Sequence, residues 1–138
     1  GNFGIPGNLG IGIYVDSDSI IAHCTAISHD LHGFEIRSRC QVLNNNAANN
    51  KGAGYHVTGS RNRIESNHAS ENLGDGFVVD DNGNARHNVV WRNTSLYNSG
   101  FQYRVPGIPG QGNPADNIVG PLVFDASTNS PWANLQAF

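Results

Sequence analysis

The side chains best suited to chemistry in this 138-residue chain recur at two fixed places after a glycine. The glycines open the phrases GIYV, GFEI, GYHV, GFVV and GFQY, at positions 12, 33, 54, 76 and 100. Two places later stand Tyr14, Glu35, His56, Val78 and Gln102, and four places later stand Asp16, Arg37, Thr58, Asp80 and Arg104. An imidazole among carboxylates and guanidinium groups can transfer a proton or bind an acidic group.

The residues between these polar places indicate what positions them. One and three places after each glycine the residue is apolar, for example Phe34 and Ile36, or Tyr55 and Val57. This alternation is typical of a β-strand with one buried face, so the polar places point outward. The pattern predicts that Glu35 lies beside His56, Asp16 beside Arg37, and Asp80 beside or near Arg104.

The glycines are spaced 21, 21, 22 and 24 residues apart, and this regular period predicts a solenoid. Helical periodicity and the pattern of a leucine-rich repeat are both absent. We therefore predict an all-β, single-stranded parallel β-helix of about five turns with three short strands in each turn. Gly1 to Ile11 would form a partial turn, residues 12–123 the repeats, and residues 124–138 a C-terminal cap that includes Trp132, Leu135 and Phe138.

Stacked turns convert repeated positions into columns. Two columns consist mainly of asparagine, whose carboxamides can hydrogen-bond from turn to turn, and Asn and Gly suit the left-handed backbone of corners. A third column is aromatic and should stack inside the solenoid. The predicted columns are Cys24, Asn45, Asn67 and Asn93; His29, Asn50, Asn72 and Asn98; and Phe34, Tyr55, Phe77 and Phe101.

Composition limits the partners. Charged residues make up only 14% of the chain, the net charge is -3, and Lys51 is the single lysine, so a nucleic acid partner is not expected. No run of 18 apolar residues predicts a membrane span.

Cys24 and Cys40 lie too far apart in register for a disulfide. The phrase HDLH at 29–32 offers too few ligands for zinc, and we predict neither a metal nor a cofactor.

The phrases NRIESN before GDGFVV, and HNVVWRN before SGFQY, resemble the parallel β-helix repeat of the pectin-lyase-like superfamily, including its NosD-like and mannuronan-epimerase-like proteins. The resemblance implies a right-handed helix and an extracytoplasmic or secreted location. It also implies a groove on an outer sheet face, with His56 as a base, Arg104 as the stabilising charge and Asp80 beside them. The remaining predicted substrate contacts are Glu35, Arg37, Asp81, His87 and Gln102.

Three functions remain open at this point. The first is a polysaccharide-interacting β-helix without a catalytic signature, because the epimerase sequence Asp-Pro-His-Asp is missing. The second is a polysaccharide lyase or uronan epimerase that uses His56 and Arg104. The third is a structural segment that associates with copies of itself through the solenoid ends. The insertions at 80–87 and 105–116 would wall a groove in the first two cases.

Overall fold

The structure is a computed structural model that describes residues 10–80, 85–105, 117–123 and 133–137. Within these residues every regular element is a β-strand of two to four residues. The strands are β1 Ile13–Val15, β2 Ile20–Ala22, β3 Thr25–Ile27, β4 Phe34–Ile36, β5 Gln41–Leu43, β6 Asn46–Ala48, β7 Tyr55–Val57, β8 Arg63–Glu65, β9 His68–Ser70, β10 Phe77–Val79, β11 Val89–Trp91, β12 Thr94–Leu96, β13 Tyr103–Arg104, β14 Ile118–Val119, β15 Leu122–Val123 and β16 Asn134–Ala137.

The strands form three parallel sheets, because successive turns of chain lie on one another. The first sheet has the order β1-β4-β7-β10-β13, the second β2-β5-β8-β11-β14, and the third β3-β6-β9-β12-β16-β15. The paired residues Ile13, Phe34, Tyr55, Phe77 and Tyr103 mark four steps along the first sheet. The predicted parallel β-helix is confirmed, with about four complete turns where five were expected.

The chain's last described strand is inserted between earlier ones. Leu135, which was predicted to belong to the C-terminal cap, lies in β16 and pairs with Thr94 of β12 and Val123 of β15. Trp132 and Phe138 lie outside the described residues. The boundaries of the predicted partial turn and cap remain predictions.

A stack of four aromatic rings fills the interior behind the first sheet. Adjacent ring centroids are 4.8, 4.6 and 5.1 Å apart and the rings are within 6° of parallel. The fourth ring belongs to Tyr103, so the prediction of Phe101 is wrong: Phe101 is 57% exposed. The backbone N–H of Gly100 donates to the carbonyl of Gly74, which stands two residues before the repeated glycine Gly76. The phrase GFQY is therefore offset by two residues from the register of the earlier phrases.

Within the described residues, three asparagine ladders hold the turns together. In the two predicted ladders, the Nδ2 of Asn45 donates to Oδ1 of Asn67 at 3.1 Å, and the Nδ2 of Asn50 donates to Oδ1 of Asn72 at 2.9 Å. Each Oδ1 also accepts the backbone N–H of the same neighbour. The third ladder was not predicted and consists of Asn62, Asn88 and Asn117, whose Oδ1 atoms accept the backbone N–H of Cys40, Asn62 and Asn88.

The left-handed backbone of the corners belongs to the residues that precede the ladders. Twelve described residues other than glycine have φ between 55° and 62°, and each stands directly before a ladder column. Only Asn44 and Asn49 among them are asparagines; Arg92 and Tyr97 are examples of the others. The prediction that ladder asparagines supply the left-handed corners is therefore wrong, and their role is to hydrogen-bond.

The repeated glycines are required by space. Their φ angles lie outside the left-handed region, but a Cβ atom on Gly54 would lie 2.8 Å from the carbonyl oxygen of Gly76 and 3.0 Å from Nδ2 of Asn72. Side chains at this column would point into the ladder and the column of small residues that includes Ala69. The glycines of the first four phrases thus mark where a strand passes close to the solenoid's interior.

This crowding predicts the effect of Gly54→Ala. The added methyl group meets a backbone carbonyl that cannot rotate away, so the free energy of unfolding should fall by about 1–3 kcal/mol. Urea unfolding measures the change, with Thr25→Ala on an exposed strand position as the control. An unchanged unfolding midpoint for Gly54→Ala would show that the column tolerates a Cβ atom.

Candidate functional site

The outer face of the first sheet places His56 and Asp80 in direct contact. His56 is the central residue of β7, and Asp80 directly follows β10 on the next turn. The Nε2 atom of His56 lies 2.8 Å from Oδ1 of Asp80, and the side chains are 22% and 28% exposed. The structure thus brings two of the predicted site residues, His56 and Asp80, together as a hydrogen-bonded pair at the surface.

His32, which the sequence did not single out for this face, packs against the same pair. Its ring centroid lies 4.5 Å from that of His56, and its Nδ1 accepts the backbone N–H of Ala53 at 2.9 Å. Burial, and secondarily the nearby His56, lower the pKa of His32 to about 4, against the opposing charges of Asp80 and Asp75. His32 is therefore neutral at pH 7, with its proton on Nε2.

Arg37 faces solvent beside the first two turns of the same sheet. Its Nε donates to the hydroxyl of Tyr14 at 2.6 Å, and its guanidinium carbon lies 5.8 Å from the centre of the Tyr14 ring. The hydroxyl contact is the main cause that raises the pKa of Arg37, with smaller contributions from Glu35 and Asp16. Asp16 lies beside Arg37 on the preceding turn, as predicted, but its carboxylate accepts the backbone N–H of Ser17 and forms no ion pair with the Arg37 guanidinium.

An open depression of about 480 Å³ adjoins Arg37. It extends from the edge of the first sheet onto the corner that leads to the second sheet. Its walls are formed by Tyr14, Asp16, Ser17, Arg37, Ser38, Thr58 and Gly59. Arg37, Thr58 and Asp80 occupy the same column on three successive turns. Because neighbouring turns are about 4.8 Å apart, Arg37 and Asp80 are separated by about 10 Å.

Two predicted site residues lie elsewhere because the last turn is shifted in register. Arg104 pairs with Val78 of β10 instead of facing Asp80, and its guanidinium binds Asp75 at 2.7 Å. Gln102 is only 1% exposed and accepts Nδ2 of Asn98 at 2.8 Å, so it ends a ladder inside the solenoid. The predicted outward position of Gln102 is wrong, and Arg104 lies directly beside Val78, two residues before Asp80.

The remaining predicted contacts have mixed positions. Glu35 pairs with His56 in the sheet register, as predicted, and is partly exposed. His87 is exposed at the corner between the first and second sheets, directly before Asn88. Asp81 lies outside the described residues. The structure therefore brings Glu35, His56 and Asp80 to successive turns of one face, with Arg37 on the same turn as Glu35.

His32 and Asp75 are the residues of this face that sequence reasoning missed. Both stand one place before a repeated glycine, at Gly33 and Gly76, in a column that includes Ala53. Polar residues directly before the repeated glycines were the sequence feature that could have predicted these two contacts. Asp75 also accepts the backbone N–H of Phe101, which fixes the last turn on the one before it.

No group of three or more His, Cys, Asp or Glu in the described residues is arranged to hold a metal ion. His29 of the HDLH phrase begins a ladder, because its backbone N–H donates to Asn50, while His32 lies against His56. No helix within the described ranges is long and apolar enough to cross a membrane.

Comparison with known proteins agrees with this architecture. Residues 2–129 match the family described as right-handed β-helix region. The chain belongs to this family, and the match supplies the right-handed sense of the solenoid. Curated proteins and solved structures gave no match.

Proposed function

We propose that the chain is a polysaccharide-binding β-helix whose ligand lies along the outer face of the first sheet and carries acidic groups. The observation that carries the proposal is the arrangement of Arg37. Tyr14 holds its guanidinium beside an open depression through an uncharged hydroxyl, and among the described residues Arg37 forms no ion pair.

Three other cationic side chains differ from Arg37 because each of them forms an ion pair. Arg39 binds Asp18, Lys51 binds Asp30, and Arg104 binds Asp75. A guanidinium group that is oriented by a neutral partner keeps N–H groups for a carboxylate or sulfate of the ligand. Glu35, Asp80 and Thr58 on the same face can accept hydrogen bonds from sugar hydroxyls.

The catalytic alternative receives less support from this geometry. A lyase or epimerase that used His56 and Arg104 would need both groups directed at one uronate. Arg104 is bound to Asp75 and sits in another register, while His56 is bound to Asp80. Binding therefore accounts for the arrangement better than proton abstraction by these two residues.

Affinity electrophoresis through gels that contain polygalacturonate, alginate or neutral dextran tests the proposal. We expect retardation by at least one of the two polyuronates and none by dextran. Arg37→Ala should weaken binding about tenfold or more, because a charge-assisted hydrogen bond is lost. Arg39→Ala removes the same charge from an ion pair on the adjacent corner and is expected to bind like the parent.

Other outcomes discriminate between the three functions. Equal loss of binding in Arg37→Ala and Arg39→Ala would indicate a nonspecific charge effect and contradict the assigned site. Release of an unsaturated product that absorbs in the ultraviolet would favour the lyase. Absence of retardation in both polyuronates, together with growth of light scattering with concentration, would favour a structural segment.

A further inference from the structure

The hydrogen bonding of His56 limits what its imidazole can offer to a ligand. Its Nε2 faces Oδ1 of Asp80, and an ionised carboxylate only accepts, so this nitrogen carries a proton. Its Nδ1 is buried and has no hydrogen-bond partner in the described part of the chain. One nitrogen is thus used by Asp80 and the other is out of reach of solvent.

The ring of His56 is also held in place from behind. His32 lies against it at 4.5 Å with a tilt of 49°, and His32 is itself fixed by the backbone N–H of Ala53. Val78, the neighbour of His56 on the next strand, is buried with 4% exposure. Rotation of His56 to present Nδ1 outward would break the contact with Asp80 and displace this packing.

We propose that Asp80 is the residue of this pair that contacts the ligand, and that His56 is a positioning residue that orients its carboxylate. His32 would support the ring of His56. This assignment reverses the roles that the sequence suggested, and it rests on the proposed function. A carboxylate offers several acceptor sites, so Asp80 would bind sugar hydroxyls while Arg37 binds the acidic group about two turns away.

Three variants separate the roles, with the polyuronate that binds the parent protein as the probe. Asp80→Asn removes the charged acceptor and should weaken binding about tenfold or more. His56→Gln places an amide N–H near the position of Nε2 and should bind within about threefold of the parent. His56→Leu keeps bulk without a donor and should lose about tenfold. Far-ultraviolet circular dichroism checks that each variant is folded.

A spectroscopic measurement on the parent protein is independent of these substitutions. The nitrogen chemical shifts of the His56 ring should identify a proton on Nε2, bonded to Asp80, in the protein at pH 7. A tautomer with its proton only on Nδ1 would overturn the inference, because Nε2 could not then donate to Asp80. His32→Asn should disturb these shifts, since it removes the ring that packs against His56.

The failure of this inference can be told from the failure of the proposed function. Normal binding by Asp80→Asn, with equal loss in His56→Gln and His56→Leu, would show that His56 itself meets the ligand. The polysaccharide-binding proposal would then stand with a different contact residue. If the parent binds neither polyuronate nor dextran, the proposed function fails and the assignment of Asp80 falls with it.

Discussion

Asn67→Leu is expected to lower the free energy of unfolding by about 2–6 kcal/mol. Asn67 is 2% exposed, and its Oδ1 accepts the backbone N–H of Asn45 at 2.9 Å. Its Nδ2 donates to the carbonyl oxygen of Val42 at 2.8 Å. Leucine fills a similar volume but leaves the backbone N–H of Asn45 without its acceptor, at about 1–3 kcal/mol. It also removes one hydrogen bond to the carbonyl of Val42 and one to the carboxamide of Asn45, at about 0.5–1.5 kcal/mol each.

The position in the ladder adds to this effect. Asn67 also links Asn45 to Asn93 by carboxamide hydrogen bonds, so its loss divides the ladder near its middle. Urea unfolding followed by circular dichroism measures the change. Gln41→Leu makes a similar exchange of a carboxamide for an apolar group on an exposed strand position, and should change stability by less than about 0.5 kcal/mol. Equal unfolding midpoints for Asn67→Leu and the parent would refute a stabilising role for the ladder.

The ladders show how much of this fold was accessible from the sequence. A period of 21 to 22 residues placed Phe34 over Tyr55 and Asn45 over Asn67, because every position in a parallel β-helix is repeated by the next turn. The third ladder was missed, although Asn62, Asn88 and Asn117 begin similar phrases. The column begins with Cys40 instead of an asparagine. Its members are also unevenly spaced, at 22, 26 and 29 residues, because the connections after Asp80 and Val105 are longer.

The last turn shows why regular spacing was not sufficient. The phrase GFQY offered two aromatic residues, and the repeated glycine favoured Phe101. The step from Phe77 to its partner Tyr103 spans 26 residues, because residues are added after Asp80 and not within the strands. Gln102 takes the glycine column there and directs its carboxamide to Asn98, so a side chain substitutes for a further ladder asparagine.

The candidate site was only partly predictable for a different reason. Sequence placed Glu35, His56 and Arg37 on the correct outer face, since alternation determines which side chains point outward. It could not predict partners, which depend on side-chain rotamers and on diagonal contacts between turns. Arg37 reaches Tyr14 and His56 reaches Asp80, whereas residues of the same column were expected to pair.

Acidification is expected to destabilise the protein through His32. The pKa of this residue is lowered to about 4 in the folded chain by burial first and His56 second, against an unfolded value of 6.5. Between these values the unfolded chain binds the proton and the folded chain does not. Stability should therefore fall as the pH decreases from about 6.5 to about 4, and this loss should be complete below pH 4.

The size of this loss follows from the same values. The difference between 6.5 and about 4 would correspond to roughly 3 kcal/mol for a fully buried group. Because His32 is only half-buried, solvent screening should reduce its contribution to about 1–2 kcal/mol. The proton would also remove the acceptor that Nδ1 presents to the backbone N–H of Ala53. Burial lowers the pKa of His68 as well, so the parent protein should show a second contribution of the same sign.

His32→Asn isolates the contribution of His32, because asparagine keeps an acceptor near the position of Nδ1 but does not titrate. Urea unfolding at pH 7, 5.5 and 4 should show a smaller loss for this variant than for the parent, with a difference of about 1–2 kcal/mol at pH 4. His23→Asn, at an exposed corner, should leave the parent's pH dependence in place. If His32→Asn and the parent lose stability in parallel, the acid sensitivity arises elsewhere, and His32 is not the buried neutral support that holds His56 against Asp80.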